Sequence, residues 1–323
     1  MKGYRTITGI LLVIAIIYGS CTKEFSPELD LVDEPVVYAI LNHRDSRHYV
    51  RISRSFIQPI TGQTIVPPVY DPDSLDVFLE VYRFGQRVGY TVVMTPELVE
   101  KDTGLFESKN QLIYYADIGL VGDSECRLSI FNRQNGKSIS STCNLFSLQG
   151  FKPMVMANLT RLDFKSIPEV FFYEVNCLFH FVEVSETDTI FKTISYPVGT
   201  IINGSKDAGL EMSISLERPD WWGYLGRHIP VKLGVVRYAF ERPLEFRLLV
   251  GDQYLFDYRR SFSGNETVIH TGQSFSNIQG GFGIFSAYDE TSLFYQAMLP
   301  DWYDKLAENP ETKGLNFANH PWQ

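Results

Sequence analysis

Most of this chain is written as short runs in which apolar and polar residues alternate, broken by clusters of Gly, Pro, Asp and Asn. That pattern constrains the fold more than any other feature. A period of two places every second side chain on one face of an extended strand, so each run offers one face to a core. Pro35–Leu41 (PVVYAIL), His48–Phe56, Ser74–Phe84, Gly89–Met94, Leu105–Ser108 and Gln111–Ile118 read as strands, and Cys126–Asn132 with Lys137–Cys143 reads as a hairpin. Aromatic residues make up 14% of the chain, with 23 Phe and 18 Tyr, and they suit the pleated surface of a sheet. The hydrophobic share of 44% against 21% charged is that of a chain with a core rather than a disordered one.

A length of 323 residues exceeds one ordinary domain. The turn-forming stretch Leu148-Gln-Gly-Phe-Lys-Pro153 marks a boundary, and a second strand series follows it: Met154–Phe164, Val170–Val184, Ile190–Tyr196, Leu210–Leu216, Val231–Ala239 and Leu244–Val250. Val170–Val184 is apolar on both faces, as a central strand is. Asp252 is placed to cap a short helix carrying Tyr254 and Tyr258, and Pro300–Asn309 starts with proline at a first helical position and stops before Pro310. The expected fold class is all-β: two β-sandwich-like domains at 35–148 and 153–290, with one or two short helices near the C-terminus and a tail at 291–323. Gln58–Pro72 reads as a long exposed loop.

The N-terminus speaks to location. Lys2 and Arg5 precede an apolar run from Ile7 to Tyr18, far short of the ~20 residues that span a bilayer, so residues 1–20 read as a signal peptide. Gly19-Ser20-Cys21 resembles a bacterial lipobox, which makes Cys21 the candidate lipidation site and residues 21–34 a polar tether. A diacyl chain, at ~0.8 kcal/mol per buried CH₂, anchors a protein without a spanning helix. Tyr18 stands where Leu or Val is usual, and the alternative is a plain secretory signal. Thr22-Lys23-Glu24 is similar to a surface-export signal of Bacteroidota lipoproteins. The formal charge of −9 argues against nucleic acid, which demands a basic face.

Cysteines fit an oxidising compartment. If Arg133–Gly136 is a four-residue loop, Asn132 faces Lys137 and Cys126 sits directly opposite Cys143, within disulfide reach. A two-residue Asn-Gly turn would separate them. Cys177 reads as a buried thiol in an apolar strand.

Ser276-Asn-Ile-Gln-Gly-Gly-Phe-Gly-Ile-Phe285, the early pair VVYAILN and HYVRISRSF, and Gly104-Leu-Phe106 with Gln111-Leu-Ile-Tyr114 together resemble a family of Bacteroidota lipoproteins known only as a domain of unknown function. The resemblance covers most of residues 20–290. It implies a sandwich-rich lipoprotein facing the cell surface or the periplasm, often encoded beside a TonB-dependent outer-membrane receptor, and it brings no catalytic residues.

Searched for chemistry, the chain is quiet. Gly280-Gly281-Phe-Gly283 lacks the following helix of a phosphate loop and reads as a place where backbones approach closely. The six histidines show no metal-ligand spacing, no G-x-S-x-G elbow is present, and neither cofactor nor metal is expected. Trp221, Trp222 and Tyr224 crowd one turn-rich stretch and are the candidate binding aromatics, against the alternative that they plug the end of a sandwich. Asp73-Ser74-Leu75 and Asp188-Thr189-Ile190 resemble an O-glycosylation pattern, which makes Ser74 and Thr189 candidate sites. The functional expectation is a non-enzymatic outer-membrane lipoprotein that binds a ligand or partner, a receptor or a glycan, in receptor-linked uptake or envelope assembly. The alternatives are a surface carbohydrate hydrolase and an adhesin or fibre subunit.

Overall fold

The computed structural model describes residues 34–54, 69–100, 110–152, 154–155, 161–216, 220–263 and 276–322. The signal peptide, Cys21, most of the tether, the loop residues 58–68 and the expected strand Leu105–Ser108 lie outside the described residues.

The protein is mostly β, with a sandwich-like arrangement and, among the described residues, three short helices. The first half folds as β1 (Pro35–Leu41), β2 (His48–Arg54), β3 (Leu75–Arg83), β4 (Gln86–Val93), β5 (Thr95–Glu100), β6 (Asn110–Ala116), β7 (Ser124–Asn132) and β8 (Ser138–Leu145). The second half supplies β9 (Met154–Val155), β10 (Arg161–Lys165), β11 (Phe172–Val184), β12 (Thr189–Ile202), β13 (Glu211–Ser215), helix α1 (Trp221–His228), β14 (Val236–Gly251), helix α2 (Gln253–Ser263), β15 (Phe282–Gln296) and helix α3 (Pro300–Glu308). Among the described residues three sheets result, ordered β12-β11-β14-β15-β1-β2-β6-β5, β13-β10-β9 and β4-β3-β7-β8.

Alternation explains the layers. β1 and β3 bury every second residue, and Val37, Ala39 and Leu41 share a core with Val77 and Leu79 of β3 and with Leu128 and Ile130 of β7. A second core forms under β11 and β14, where Tyr173, Val175, Cys177, Phe179 and Phe181 meet Leu162 and Phe164 of β10, Ile214 of β13 and the helices α1 and α3. β11 is central as expected, paired along its length with β12 and β14.

β15 joins the two halves. Its start pairs parallel with β1, and its remainder pairs antiparallel with β14. Ile278, Phe285 and Ala287, expected within the second domain, are buried in the first core. Gly283 has φ +114, and a Cβ there would collide with the Val37 carbonyl, so the glycine-rich stretch serves the close strand approach expected of it. Asp289 is fully buried; its carboxylate accepts two bonds from Arg44, at 2.6 and 3.0 Å, and another from the Leu148 N–H at 2.6 Å. It ties the β1–β2 turn and the segment between the halves to one strand.

Two further expectations change. The strand expected at Val231–Ala239 begins only at Val236, residues 231–235 being outside it, and it runs on through Leu244–Val250 as one long strand, β14; residues 240–243 bulge out between the pairs Ala239↔Phe181 and Leu244↔Phe179. Pro243, which has no N–H to donate, sits in that bulge, where no ladder bond is lost. Residues 95–100 form an exposed strand despite Pro96, because β5 lies at a sheet edge.

Candidate functional site

A cleft of about 340 Å³ opens at one end of the four-stranded sheet, near the lower limit for ligand sites. It is built by the β3–β4 turn, the start of β7, the end of β8 and residues 167–169 ahead of β11. Leu145, Phe146, Ile167 and Pro168 give it an apolar wall, while Tyr82, Phe84, Asp123, Glu125, Arg127, Asn144 and Glu169 supply rings and polar groups.

The backbone around this cleft is unusual. Arg83 pairs with Gln86, so Phe84-Gly85 is a two-residue hairpin turn with positive φ at both positions, 52° and 75°. Such turns favour Asn-Gly, and a bulky residue in the left-handed region costs roughly 1–2 kcal/mol. Phe84 carries that cost while its ring is 94% exposed. Asp123 (φ 56°) and Glu169 (φ 63°) are left-handed too, so three of the five non-glycine left-handed residues described line this one cleft. Both are held by backbone bonds, Asp123 N–H to Leu145 O at 2.8 Å and Glu169 N–H to Lys206 O at 3.0 Å. Strain of this kind persists where the surrounding structure imposes it, and it concentrates at ligand clamps.

Its electrostatics are lopsided. Arg127 is committed twice, donating to Glu125 and lying 3.8 Å over the Tyr82 ring, and the carboxylate of Glu125 raises its pKa. Glu80, nearby in β3, accepts from Thr91, Tyr82 and Arg87 and is held below the usual carboxylate range, chiefly by the Thr91 bond. The carboxylates of Asp123 and Glu169 and the amide of Asn144 have no such partners among the described residues.

The aromatics expected to bind lie elsewhere, and in a helix. Trp221, Trp222 and Tyr224 belong to α1 rather than to a loop. Trp221 is 5% exposed and meets Phe179 and Tyr196 edge-on, with ring centroids 5.6 and 5.5 Å apart. Trp222 is partly buried against Trp302, and the Tyr224 hydroxyl donates to Ser195 O at 2.6 Å. Trp221 therefore belongs to the second core and Trp222 packs against it, while Tyr224 is half-buried.

Ser74 is buried and its hydroxyl donates to Asp71 O within a 3₁₀ turn, so it is not presented for modification; Thr189 is exposed at the start of β12. The β7–β8 hairpin has the four-residue loop and places Cys126 opposite Cys143, yet both thiols are free in the structure where a disulfide was expected. Burial, with Cys126 alongside, pushes the Cys143 thiol well up.

One chain of chemistry-bearing groups went unread in the sequence. On the outer face of the large sheet, Thr193 Oγ1 lies 2.9 Å from His180 Nδ1, and His180 Nε2 lies 2.9 Å from Glu245 Oε2. The order is hydroxyl, imidazole, carboxylate, as in nucleophilic catalysis. Burial raises the Glu245 pKa, but bonds from Arg247, Ser292 and His180 outweigh it and hold it at about 2. The row lies outside the cleft. Only the register of β11 against β12 and β14 could have revealed it. Among the described residues no group of His, Cys, Asp and Glu is arranged to hold a metal ion, and no helix is long and apolar enough to cross a membrane.

Compared with known proteins, the chain matches no family model and no curated sequence.

Proposed function

We propose that this protein is a non-enzymatic, lipid-tethered outer-membrane protein, resembling the Bacteroidota lipoproteins named above, and that it binds a partner through the cleft at the β3–β4 turn. Its role is that of an accessory in receptor-linked uptake or envelope assembly. The carrying observation is the convergence of Phe84, Asp123 and Glu169, all left-handed, on one cleft. An exposed ring on a strained, well-determined turn is the type of rigid anchor that dominates binding energies.

A photo-crosslinking residue at position 84 tests the reading, with position 233 as control, because Leu233 is 98% exposed and far from the cleft in sequence and lining. In intact envelopes position 84 should give discrete adducts and position 233 should not. Equal labelling from both would show general stickiness and end the cleft reading. The tether has its own test: Cys21→Ala should move the protein from the membrane to the soluble fraction, and unchanged fractionation would refute lipidation.

The hydrolase reading has one observation in its favour, the row Thr193–His180–Glu245. It weakens because the row sits on an open sheet face and because Glu245 is already bound by Arg247 and Ser292. Covalent labelling of Thr193 by a fluorophosphonate would reinstate it.

A further inference from the structure

We infer that the cleft takes a basic side chain, an arginine or lysine carried on an extended segment of a partner protein. This rests on the binding reading above and adds the chemistry of the occupant.

Charge decides between occupants. Other acidic groups of the four-stranded sheet are matched: Asp76 by Arg133, Glu80 by Arg87, Glu125 by Arg127. Asp123 and Glu169, which lie just ahead of β7 and β11, carry no ion pair among the described residues, and Arg127 in the lining is already engaged. An anion would be repelled. A neutral ligand such as a sugar would cover two carboxylates without offsetting their charge, and burying an unpaired charge is costly. A cation removes that cost.

The rest of the lining fits a cation on an aliphatic stem. Leu145, Phe146, Ile167 and Pro168 accept methylene groups, and the Phe84 ring already takes one guanidinium, that of Arg83 at 5.4 Å from its centroid, on a single face. A guanidinium, with five donors in a fixed fork, matches a lining that offers two carboxylates and the Asn144 amide oxygen. A peptide source is favoured because β4 is an edge of its sheet among the described residues and runs directly from the Phe84 turn, leaving backbone groups beside the cleft for an extended chain.

The test uses the full-length lipoprotein in detergent and calorimetric titration with four probes: a short peptide with blocked ends whose one charge is a central arginine, its norleucine twin, N-acetylarginine amide, and maltohexaose. The arginine peptide should bind, more weakly as salt is raised. The norleucine twin should bind at least tenfold more weakly, since charge-assisted bonds of this kind are worth a factor of ten or more. The double variant Asp123→Asn/Glu169→Gln should show the same loss with its melting midpoint unchanged, because neither carboxylate has a partner to lose among the described residues. Equal binding of the arginine peptide by that variant overturns the inference. So does binding of the acetylated amide as tight as that of the peptide, which would make the occupant a free small cation, and so does tighter binding of maltohexaose, which would make the cleft a saccharide site. If position 84 crosslinks but the arginine peptide does not bind, the occupant is wrong and the binding reading stands; if neither occurs, both fall.

Discussion

Replacing Trp221 with Ala separates a core plug from a binding ring. Trp221 is almost wholly buried and touches Phe179 and Tyr196 edge-on beneath α1. A tryptophan buries up to about 250 Å², which at ~25 cal/mol per Å² sets a ceiling near 6 kcal/mol. Partial collapse of the cavity brings the expected cost to about 3–5 kcal/mol. For a body of this size each kcal/mol moves the melting midpoint by roughly 2–4 °C, so the variant should melt about 10 °C lower. Tyr224→Phe, which loses only the bond to Ser195 O, should cost about 1 kcal/mol. Scanning calorimetry with urea titration reads both. A Trp221→Ala protein melting within about a degree of the parent would refute the packing argument and return this ring to the list of binding candidates.

Other outcomes follow from buried charge and strand register. Arg237 is fully buried, donates to Glu183 Oε1 from Nε and Nη2 at 3.0 and 2.7 Å, and binds the Leu315 and Pro230 carbonyls, so Arg237→Met should cost about 3–5 kcal/mol in urea titration and loosen the C-terminal segment. Burial raises the Glu183 pKa, but Lys232 and Arg237 together bring it below the usual value. A depressed carboxylate stabilises above its unfolded pKa, so melting scans below about pH 4 should show this contribution disappearing, and a flat acid profile in that range would contradict it. Mild oxidation should link Cys126 to Cys143 by peptide mapping and leave Cys177 as a thiol; a bond to Cys177 would show that the hairpin register is wrong.

Strands with strict alternation, β1, β3 and the β7–β8 hairpin, were legible because burying one face imposes a period of two, whereas the exposed β5 was not. β15 was not, since residues 286–296 mix Ser, Asp, Glu and Thr with aromatics, and its partner β1 lies at the other end of the chain. Pro219 and Gly223 made the Trp221 segment read as a loop. In the fold Gly223 lies within helix α1, and a Cβ at Gly226 of the same helix would strike the Glu311 carbonyl, so that glycine serves close packing. The cleft stayed hidden for a related reason: left-handed backbone is expected at Gly and Asn, and nothing local marks Phe84, Asp123 or Glu169 as adopting it.

Amide hydrogen exchange, measured by mass spectrometry on the protein in isolated envelopes and on the purified protein, tests most directly whether the cleft is where this protein works. Partner binding there should slow exchange in envelopes at residues 83–86, 122–127 and 166–170, leaving the solvent-facing β12 and residues 231–234 unchanged. Protection confined to β12 or to residues 231–234, with the cleft segments exchanging at the same rate in both samples, would contradict the account.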